Sequence, residues 1–457
     1  MNRMDVDLAK LRELAADGQI DTVVTAFPDM YGRLMGKRIT AHFFLEEIIE
    51  DGMHACDYLL ASDVEMDPVP GYRFTSWQSG YGDFKAVPDL TTLRTLPWLE
   101  KTALVLCDLV DEEEGDPVVV APRTILRRQM ERMREAGIVP MGGSELEFFL
   151  FRDSFEEARA RRYQDLRPYG WYIEDYHILQ GTREEWFIRA VRNGMDGARV
   201  PVEFSKGEWG PGQHEINLRY ADFLEMADRH TIYKHGVKEM ALARGVAVTF
   251  MAKWNERLAG SSFHLHASLW DPDRRTNLLY DPAKPGGMGN QFRWFLGGLM
   301  AHARELALFF APFVNSYKRY QAGSFAPNKN VWSPDNRTAG FRIVGHGNSL
   351  RVENRMPGAD ANPYLAYAAT IAAGLDGLQR RIEPPEMFVG DAYATPGVPT
   401  IPYSLREAIA ELERSEFARD VFGDEVIDHY LHMARTEQQK FDQVVTDWEL
   451  LRHFERT

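Results

Sequence analysis

The stretch GSELEFF, residues 143–149, places two carboxylates, Glu145 and Glu147, in an otherwise apolar segment. The apolar residues at 138–139 and 148–151 predict a buried strand. Residues two apart on a strand share one face, so we expect both glutamates to face the same way, at the end of the strand. Two adjacent buried anions repel and lose hydration, which costs free energy unless a positive charge lies between them. The sequence therefore indicates a cation at this place.

Composition limits the kind of protein that this chain can be. The 457 residues are 44% hydrophobic, enough for a large core and more than one domain. The formal charge of -15, without a basic run, argues against nucleic acid or an anionic membrane as partner. The N-terminus lacks the apolar core of a signal peptide, and no apolar run reaches the ~18 residues of a membrane span. We therefore expect a cytoplasmic globular protein.

The distribution of strands and helices predicts the α+β class. Residues 20–27 and 102–110 read as strands because of their β-branched content, and 111–117 as a linker. A helix is expected to start at Pro122, which suits the first turn. Three further long helices are predicted over 221–243, 291–310 and 362–382. The expected organisation is a small domain over 1–115 followed by a large one over 116–457.

A second acidic pair lies in GEWGPGQHEINLRY, residues 207–220. Glu208 and Glu215 flank a Gly-Pro turn that can fold both carboxylates toward one point. Glu215, Asn217 and Arg219 then alternate as they would on a strand. The alternative for this stretch taken by itself is a loop with solvated acids.

Histidines recur at strand spacing in AGSSFHLHASLW, residues 259–270. His264 and His266 share one face of the expected strand, and Ser268 continues the row. Two histidines on one face after a Gly-Ser turn favour metal ligation or phosphate contact. The alternative is a pair of structural histidines in the core.

Charges alternate in LRVENRMPGADANPYL, residues 350–365. Arg351, Glu353 and Arg355 fall on one face of a strand. They could form a structural ladder of ion pairs, or they could bind a metal and anions.

Together these stretches supply five glutamates and one histidine, a ligand set that suits Mg²⁺ or Mn²⁺ rather than zinc. The same part of the chain carries arginines placed to meet anions: Arg319, Arg337, Arg342, Arg351 and Arg355. Divalent cations held by carboxylates, with converging guanidiniums, are what phosphoryl transfer requires. A GxxxxGK[ST] loop and the protein-kinase motifs are both missing from the sequence, so the nucleotide site must be of another kind.

The order and wording of these motifs resemble the glutamine synthetase superfamily. The matching stretches are DMYG, GSELEFF, GEWGPGQHE, GSSFHLHASL, NSYKR, DNRTAGFRI and RVENRMPGADANPYL, which together cover nearly the whole chain. The resemblance implies a β-grasp N-terminal domain and a large catalytic domain with a curved antiparallel sheet flanked by helices. It also implies a homo-dodecamer of two stacked hexameric rings, with active sites shared between neighbouring subunits.

The resemblance assigns roles position by position. The first metal is expected to be bound by Glu147, Glu208 and Glu215. The second metal is expected to be bound by Glu145, His264 and Glu353. ATP is expected to contact Tyr220, His266, Ser268, Arg337, Arg342 and Arg351. The L-glutamate substrate is expected to contact Gly260, Arg319 and Arg355, and the amine pocket to contain Tyr176 and a neighbouring subunit's Asp29. Direct parts in catalysis are expected for Asp29, Glu208 and Arg337.

One position departs from the family pattern. Ammonia-using members carry a glutamate on a flap, in wording like GYEAP, where this chain reads GSFAP with Phe325. A phenyl ring performs no acid–base work, but it can line a pocket for the carbon skeleton of a larger amine. The sequence is therefore similar to the branch that joins glutamate to organic amines such as polyamines or ethanolamine. The alternative is that Phe325 merely packs the flap.

The implied reaction has two steps. ATP phosphorylates the side-chain carboxylate of glutamate, and an amine then displaces phosphate to form a γ-glutamyl amide. Alkylamines arrive protonated, with pKa values near ~10.4, so a base is required, and Asp29 of the neighbour is the expected one. The alternatives are an ordinary glutamine synthetase that uses ammonium, a non-catalytic structural or regulatory homologue, and a generic two-metal hydrolase.

Overall fold

The computed structural model describes residues 6–457, and its α+β class is the predicted one. The strands are β1 (Thr22–Pro28), β2 (Leu34–Thr40), β3 (Met53–Cys56), β4 (Asp83–Thr95), β5 (Thr102–Asp111), β6 (Val139–Phe151), β7 (Val202–Gly207), β8 (Gln213–Leu218), β9 (Ala221–Asp222), β10 (Ala247–Thr249), β11 (Phe263–Trp270), β12 (Trp332–Pro334), β13 (Phe341–Val344) and β14 (Arg351–Asn354). The α-helices are α1 (Leu8–Ala16), α2 (Ala41–Phe43), α3 (Ile49–Asp51), α4 (Pro122–Glu135), α5 (Phe155–Ala160), α6 (Ile178–Gly181), α7 (Glu185–Gly197), α8 (Phe223–Leu242), α9 (Asn290–Ala301), α10 (Ala307–Phe310), α11 (Val314–Tyr317), α12 (Pro363–Arg380), α13 (Leu405–Glu413), α14 (Glu416–Phe422), α15 (Asp424–Asp442) and α16 (Asp447–His453). A π-helical turn, Phe44–Ile48, joins α2 to α3.

The first sheet contains five strands in the order β2-β1-β5-β4-β3. Strands β1 and β5 are parallel, and the other neighbours are antiparallel. Alternate residues of β5 belong to two different cores: Val105 packs into the small core under this sheet, whereas Leu104 and Leu106 pack into the large core. Burial on both faces explains why this strand is a continuous apolar run in the sequence.

The second sheet contains nine strands and carries the candidate site. Its order is β12-β13-β14-β11-β6-β8-β7, with β9 and β10 also paired to β6. All neighbours are antiparallel except β12 and β13. Helices α4, α8 and α9 pack around α12 to form the large core.

A cap at the start of α12 connects the two sheets. The Asn362 side chain accepts a hydrogen bond from the Tyr364 N–H (3.0 Å), and Pro363 occupies the first turn. The amide of Asn362 also donates to the Met30 carbonyl (2.9 Å), in the loop that follows β1. The cap therefore holds the loop that contains Asp29 against the large core.

Two expectations about secondary structure were wrong. The helix predicted over 291–310 ends at Ala301, and α10 starts only after a break at 302–306. His302 lies in this break, where its ring contacts Glu305 and stands 2.8 Å from Asp376, so tertiary contacts end the helix. The two glutamates of GSELEFF lie in the middle of β6 rather than at its end, because the strand also runs through residues 140–144, where it pairs with β11.

Within residues 6–457, every helix is too short or too polar to span a lipid bilayer.

Candidate active site

Four adjacent strands place ionisable side chains opposite one another. In the registers of the second sheet, Glu145 pairs with His264, Glu147 with Glu215, and Glu353 with His266. Strand pairing sets these side chains a few ångströms apart, independently of loop conformation. A cavity of about 290 Å³ opens onto them and is lined by all six predicted metal ligands: Glu145, Glu147, Glu208, Glu215, His264 and Glu353.

The first group of carboxylates contains Glu147, Glu208 and Glu215. Glu147 accepts a hydrogen bond from the Ser262 N–H (2.8 Å), and burial together with Glu208 raises its pKa to about 7. Burial, followed by the charges of Glu145 and Glu208, also raises the pKa of Glu215. Lys206 contacts Glu208 and lies 3.8 Å from Glu215, where it offsets part of this charge. Crowded buried carboxylates of this kind fit a divalent cation.

The second group contains Glu145, His264 and Glu353, and one ligand atom of each lies within 4.8 Å of the others. His264 Nδ1 is 3.4 Å from Glu145 and 3.6 Å from Glu353. Burial opposes ionisation of Glu145, but His266 and His264 outweigh it and lower its pKa. His264 also lies within 4.8 Å of Glu147 and Glu215, so it reaches both groups. Oxygen donors with one imidazole fit Mg²⁺ or Mn²⁺.

Arginines hold Glu353 ionised. Its two oxygens lie 2.5 Å from Arg355 Nη1 and 2.9 Å from Arg342 Nη1. Burial opposes the charge, but Arg355 and then His264 lower the pKa of Glu353 to about 2. The exposed Arg337 lines the same cavity. Three guanidiniums therefore converge beside the carboxylates.

The predicted glutamate-binding residues line the same cavity. Buried Arg319 donates to the carbonyls of Arg355 (3.2 Å) and Pro357 (3.1 Å). Its Nε and that of Arg355 are buried and have no hydrogen-bond partner among residues 6–457, so each has an N–H available for an anion. Gly260 packs so closely on Ala252 that a Cβ there would lie 2.5 Å from the Ala252 carbonyl.

Aromatic side chains also line this cavity, and we call the part of its wall that they form the aromatic end: Tyr176, Phe204, Trp209 and Phe325. The rings of Trp209 and Phe325 meet edge to face with centroids 5.5 Å apart. Phe325 is 44% exposed and Trp209 46%, so each presents a ring to the cavity instead of filling the core. Phe325 has a φ of 58°, in the left-handed region, and Arg355 Nη2 donates to its carbonyl (3.0 Å).

A second cavity of about 420 Å³ adjoins the first, and both are lined by Glu145 and Asn217. Four of the six predicted nucleotide contacts line it: Tyr220, His266, Ser268 and Arg351. The other two, Arg337 and Arg342, line the first cavity. This division suits a nucleotide whose base lies in the second cavity and whose phosphates point into the first.

Asp29 lies in neither cavity. It follows β1 and is 1% exposed. Its carboxylate accepts hydrogen bonds from the Tyr31 N–H (2.9 Å), the Arg33 N–H (2.8 Å) and Arg33 Nε (2.6 Å). Burial, opposed by Arg33, raises the pKa of Asp29. Within one chain the structure does not bring Asp29 to the other site residues.

Several further polar or aromatic residues line the first cavity and were not selected as site residues from the sequence, among them Asp175, Lys206, Trp209, Gln213 and Asn217. Gln213 and Asn217 flank Glu215 at a spacing of two, so the face-sharing rule could have found them. Lys206 precedes Glu208 by the same spacing. The sequence gives no such indication for Asp175. Its N–H donates to the Glu208 carbonyl (3.0 Å), so its position depends on a contact between two loops that no local spacing predicts.

The family described as glutamine synthetase, catalytic domain, matches residues 119–453. The chain belongs to the glutamine synthetase family. The match spans every predicted site residue except Asp29. The chain is 51% identical over 447 residues to γ-glutamylethanolamide synthetase GlnA4 of Streptomyces coelicolor, covering 98% of this chain and 95% of that relative.

Two other members are similar over the whole length. Glutamate–isopropylamine ligase of a Pseudomonas species is 37% identical over 451 residues, which are 98% of each chain. The solved structure of a GmaS–ADP complex superposes with a TM-score of 0.84 at 28% identity, covering 97% of this chain and 99% of that one.

Proposed function

We propose that this chain is an ATP-dependent ligase that joins the γ-carboxylate of L-glutamate to an organic amine through a γ-glutamyl phosphate. The observation that carries the proposal is the cavity that combines the six predicted metal ligands with the Trp209–Phe325 ring pair. The names of the two similar enzymes, an ethanolamide synthetase and an isopropylamine ligase, support an organic amine as the acceptor.

The residues of the chain divide the work of the first step. Arg319 and Arg355 bind the carboxylates of glutamate, with the Gly260 backbone beside them. A side-chain carboxylate oxygen of glutamate attacks the γ-phosphorus of ATP, and ADP leaves. Arg337 and Arg342 face the transferred phosphate and stabilise its spreading charge. Two or more divalent cations, Mg²⁺ or Mn²⁺, held by the six ligands would neutralise phosphate oxygens.

The aromatic end binds the amine for the second step. An alkylammonium ion is attracted to ring faces, and its carbon skeleton gains from apolar burial. After loss of a proton, its nitrogen attacks the carbonyl carbon of the acyl phosphate in γ-glutamyl phosphate, and phosphate leaves as the carbon–oxygen bond to it breaks. Asp175 lines the same cavity and is the base that we propose for that proton. Asp29, the base expected from the family, would have to come from another chain.

Assembly is also part of the proposal. We expect a homo-dodecamer of two hexameric rings, built from domains 1–115 and 116–457, in the cytoplasm. The segment that contains α16 supports an assembled state, because it exposes Val445, Trp448, Leu451 and Phe454. A contiguous exposed apolar patch is typical of an interface. Mixing Asp29→Ala with Glu147→Ala protein should restore activity if sites are shared between subunits; a fully active stable monomer would contradict sharing.

Release of phosphate with glutamate and ATP tests the activity. We expect turnover with ethanolamine or short alkylamines to exceed turnover with ammonium by more than tenfold. If ammonium were the best nucleophile across a broad amine panel, the chain would be a glutamine synthetase with an unusual flap. If no nucleophile released phosphate, the ligase proposal would be wrong.

A further inference from the structure

A second group of buried ionisable residues lies behind the active-site face of β8. His214 and Glu215 are adjacent on this strand, so their side chains point to opposite sides of the sheet. On the side away from the cavity, His214 meets Glu174 and Glu184. Both glutamates are 0% exposed and His214 is 2% exposed. The mechanism proposed above uses none of these three residues.

The three side chains converge at the spacing of metal ligands. His214 Nε2 lies 3.2 Å from Glu184 Oε2 and 3.8 Å from Glu174 Oε2. One ligand atom from each residue lies within 4.8 Å of the other two. The Gly212 N–H donates to Glu174 Oε1 (2.7 Å), which fixes that carboxylate and leaves its second oxygen facing the group.

Glycines make the space that Glu174 occupies. A Cβ at Gly170 would lie 2.1 Å from Glu174 Oε1, and a Cβ at Gly207 would lie 2.6 Å from Glu174 Cβ. Any larger side chain at either position would displace the carboxylate. Three separate segments therefore fix the position of Glu174, and they contain Gly170, Gly207 and Gly212.

The charges of the group are not balanced by hydrogen bonds. In the part of the chain that the structure describes, four inward atoms lack a hydrogen-bond partner: Glu174 Oε2, Glu184 Oε1, Glu184 Oε2 and His214 Nε2. Buried carboxylate oxygens without partners are costly. Burial and the facing Glu184 raise the pKa of Glu174 to about 8. By contrast, the buried Arg123 is matched by Asp89, Asp108 and Asp228.

We propose that Glu174, Glu184 and His214 bind a zinc ion in a buried site separate from the catalytic cavity. The catalytic cavity has the same kinds of donor, but its six ligands surround an open space that suits the higher coordination number of Mg²⁺. Here only three buried ligands converge, and a water or a second carboxylate oxygen completes the four-coordination that zinc prefers. The ion offsets the negative charge of Glu174 and Glu184, and it binds atoms of the group that lack a hydrogen-bond partner. It also ties β8, which carries Glu215, to the segment 174–184, which carries Asp175 and Tyr176. Its role is structural: it holds the amine end of the cavity against the metal end.

Metal analysis of the full-length protein tests the proposal. The protein is dialysed with excess Mg²⁺, which occupies the carboxylates of the catalytic cavity, plus limiting Zn²⁺, then desalted and analysed by mass spectrometry. We expect wild type to retain about one more zinc per chain than Glu184→Gln or Glu174→Gln. The control is Glu185→Gln, whose partner is Arg192 and which lies outside the group, and it should retain zinc like wild type.

The competing explanation is that Glu174 and Glu184 share a proton and that no zinc ion lies between them. Glutamine mimics a protonated glutamate, so both variants would then fold and hold as much zinc as wild type, which would overturn the proposal. Anomalous X-ray scattering at the zinc edge needs no variant. A peak between the three side chains of wild-type protein prepared in the same way supports the site, and its absence overturns it.

Discussion

The two ends of the catalytic cavity are built differently. The carboxylate end stands mainly on paired strands, where Glu145, Glu147 and Glu353 have fixed neighbours across the sheet. The aromatic end is assembled mainly from loops, and two of its residues, Tyr176 and Phe325, have left-handed φ angles of 65° and 58°. The carboxylates therefore lie mainly on the sheet, and the aromatic rings lie mainly on segments that can vary without disturbing it.

Backbone contacts hold the strained flap. A left-handed non-glycine residue costs about 1 kcal/mol or more and persists only where its surroundings determine it. Arg355 Nη2 donates to the Phe325 carbonyl, and the Tyr393 hydroxyl donates to the Ala326 carbonyl (2.8 Å). Because Arg355 also binds Glu353, one guanidinium connects the two ends of the cavity.

Removal of divalent cations should have the largest effect, because it acts on the carboxylate end directly and on the segment 174–184 through the proposed zinc site. We expect chelation to abolish ADP formation and to lower the melting temperature by several degrees, since crowded carboxylates then repel and a ligand of the folded state is lost. Mg²⁺ together with Zn²⁺ should restore both. Activity that survives exhaustive chelation would contradict the metal assignment.

Replacement of a single carboxylate should come next. Glu353→Ala should lower kcat about 10³-fold, because it removes a ligand and leaves Arg342 and Arg355 without their partner. The matched control is Glu383→Ala, which removes an exposed carboxylate that pairs with Arg293 and accepts a hydrogen bond from Trp294 Nε1, outside the cavity lining. Full activity of both Glu353→Ala and Glu147→Ala would contradict the assignment of these two residues as metal ligands.

Changes at the aromatic end should separate amine binding from glutamate binding. We expect Trp209→Ala and Phe325→Glu to raise KM for the organic amine about tenfold, equivalent to ~1.4 kcal/mol, with KM for glutamate nearly unchanged. Trp77→Ala removes an exposed ring that contacts Tyr81 and serves as control. If the KM values for amine and glutamate rose together, the cavity would not divide into two ends.

The smallest change is expected in the second cavity. Tyr220 is half-exposed there, so Tyr220→Ala should raise KM for ATP about fivefold through lost stacking, ~1 kcal/mol. The KM for the amine should not change, and isothermal titration with ADP should show the same loss of affinity. If Tyr220→Ala changed the KM for the amine but not the KM for ATP, the assignment of Tyr220 to a nucleotide-binding cavity would be wrong.

Much of the carboxylate end could be predicted because strand geometry is local. The spacing of Glu145 and Glu147 puts both on one face wherever β6 lies, and the same rule relates His264 to His266 and Arg351 to Glu353. The resemblance to the glutamine synthetase family then supplied the remaining contacts. The predicted position of Glu145 and Glu147 along β6 was wrong, because pairing with β11, distant in sequence, continues the strand through residues 140–144.

The sequence by itself determined the α+β class, the family, and which side chains share a strand face, because these follow from residue type and spacing. Only the tertiary structure decided which loops meet. It placed Asp175 and Trp209 in one cavity with Phe325, held the loop that contains Asp29 against Asn362, and gathered Glu174, Glu184 and His214 behind β8. Such contacts join residues far apart along the chain, and their formation depends on the packing of the whole core rather than on any local pattern.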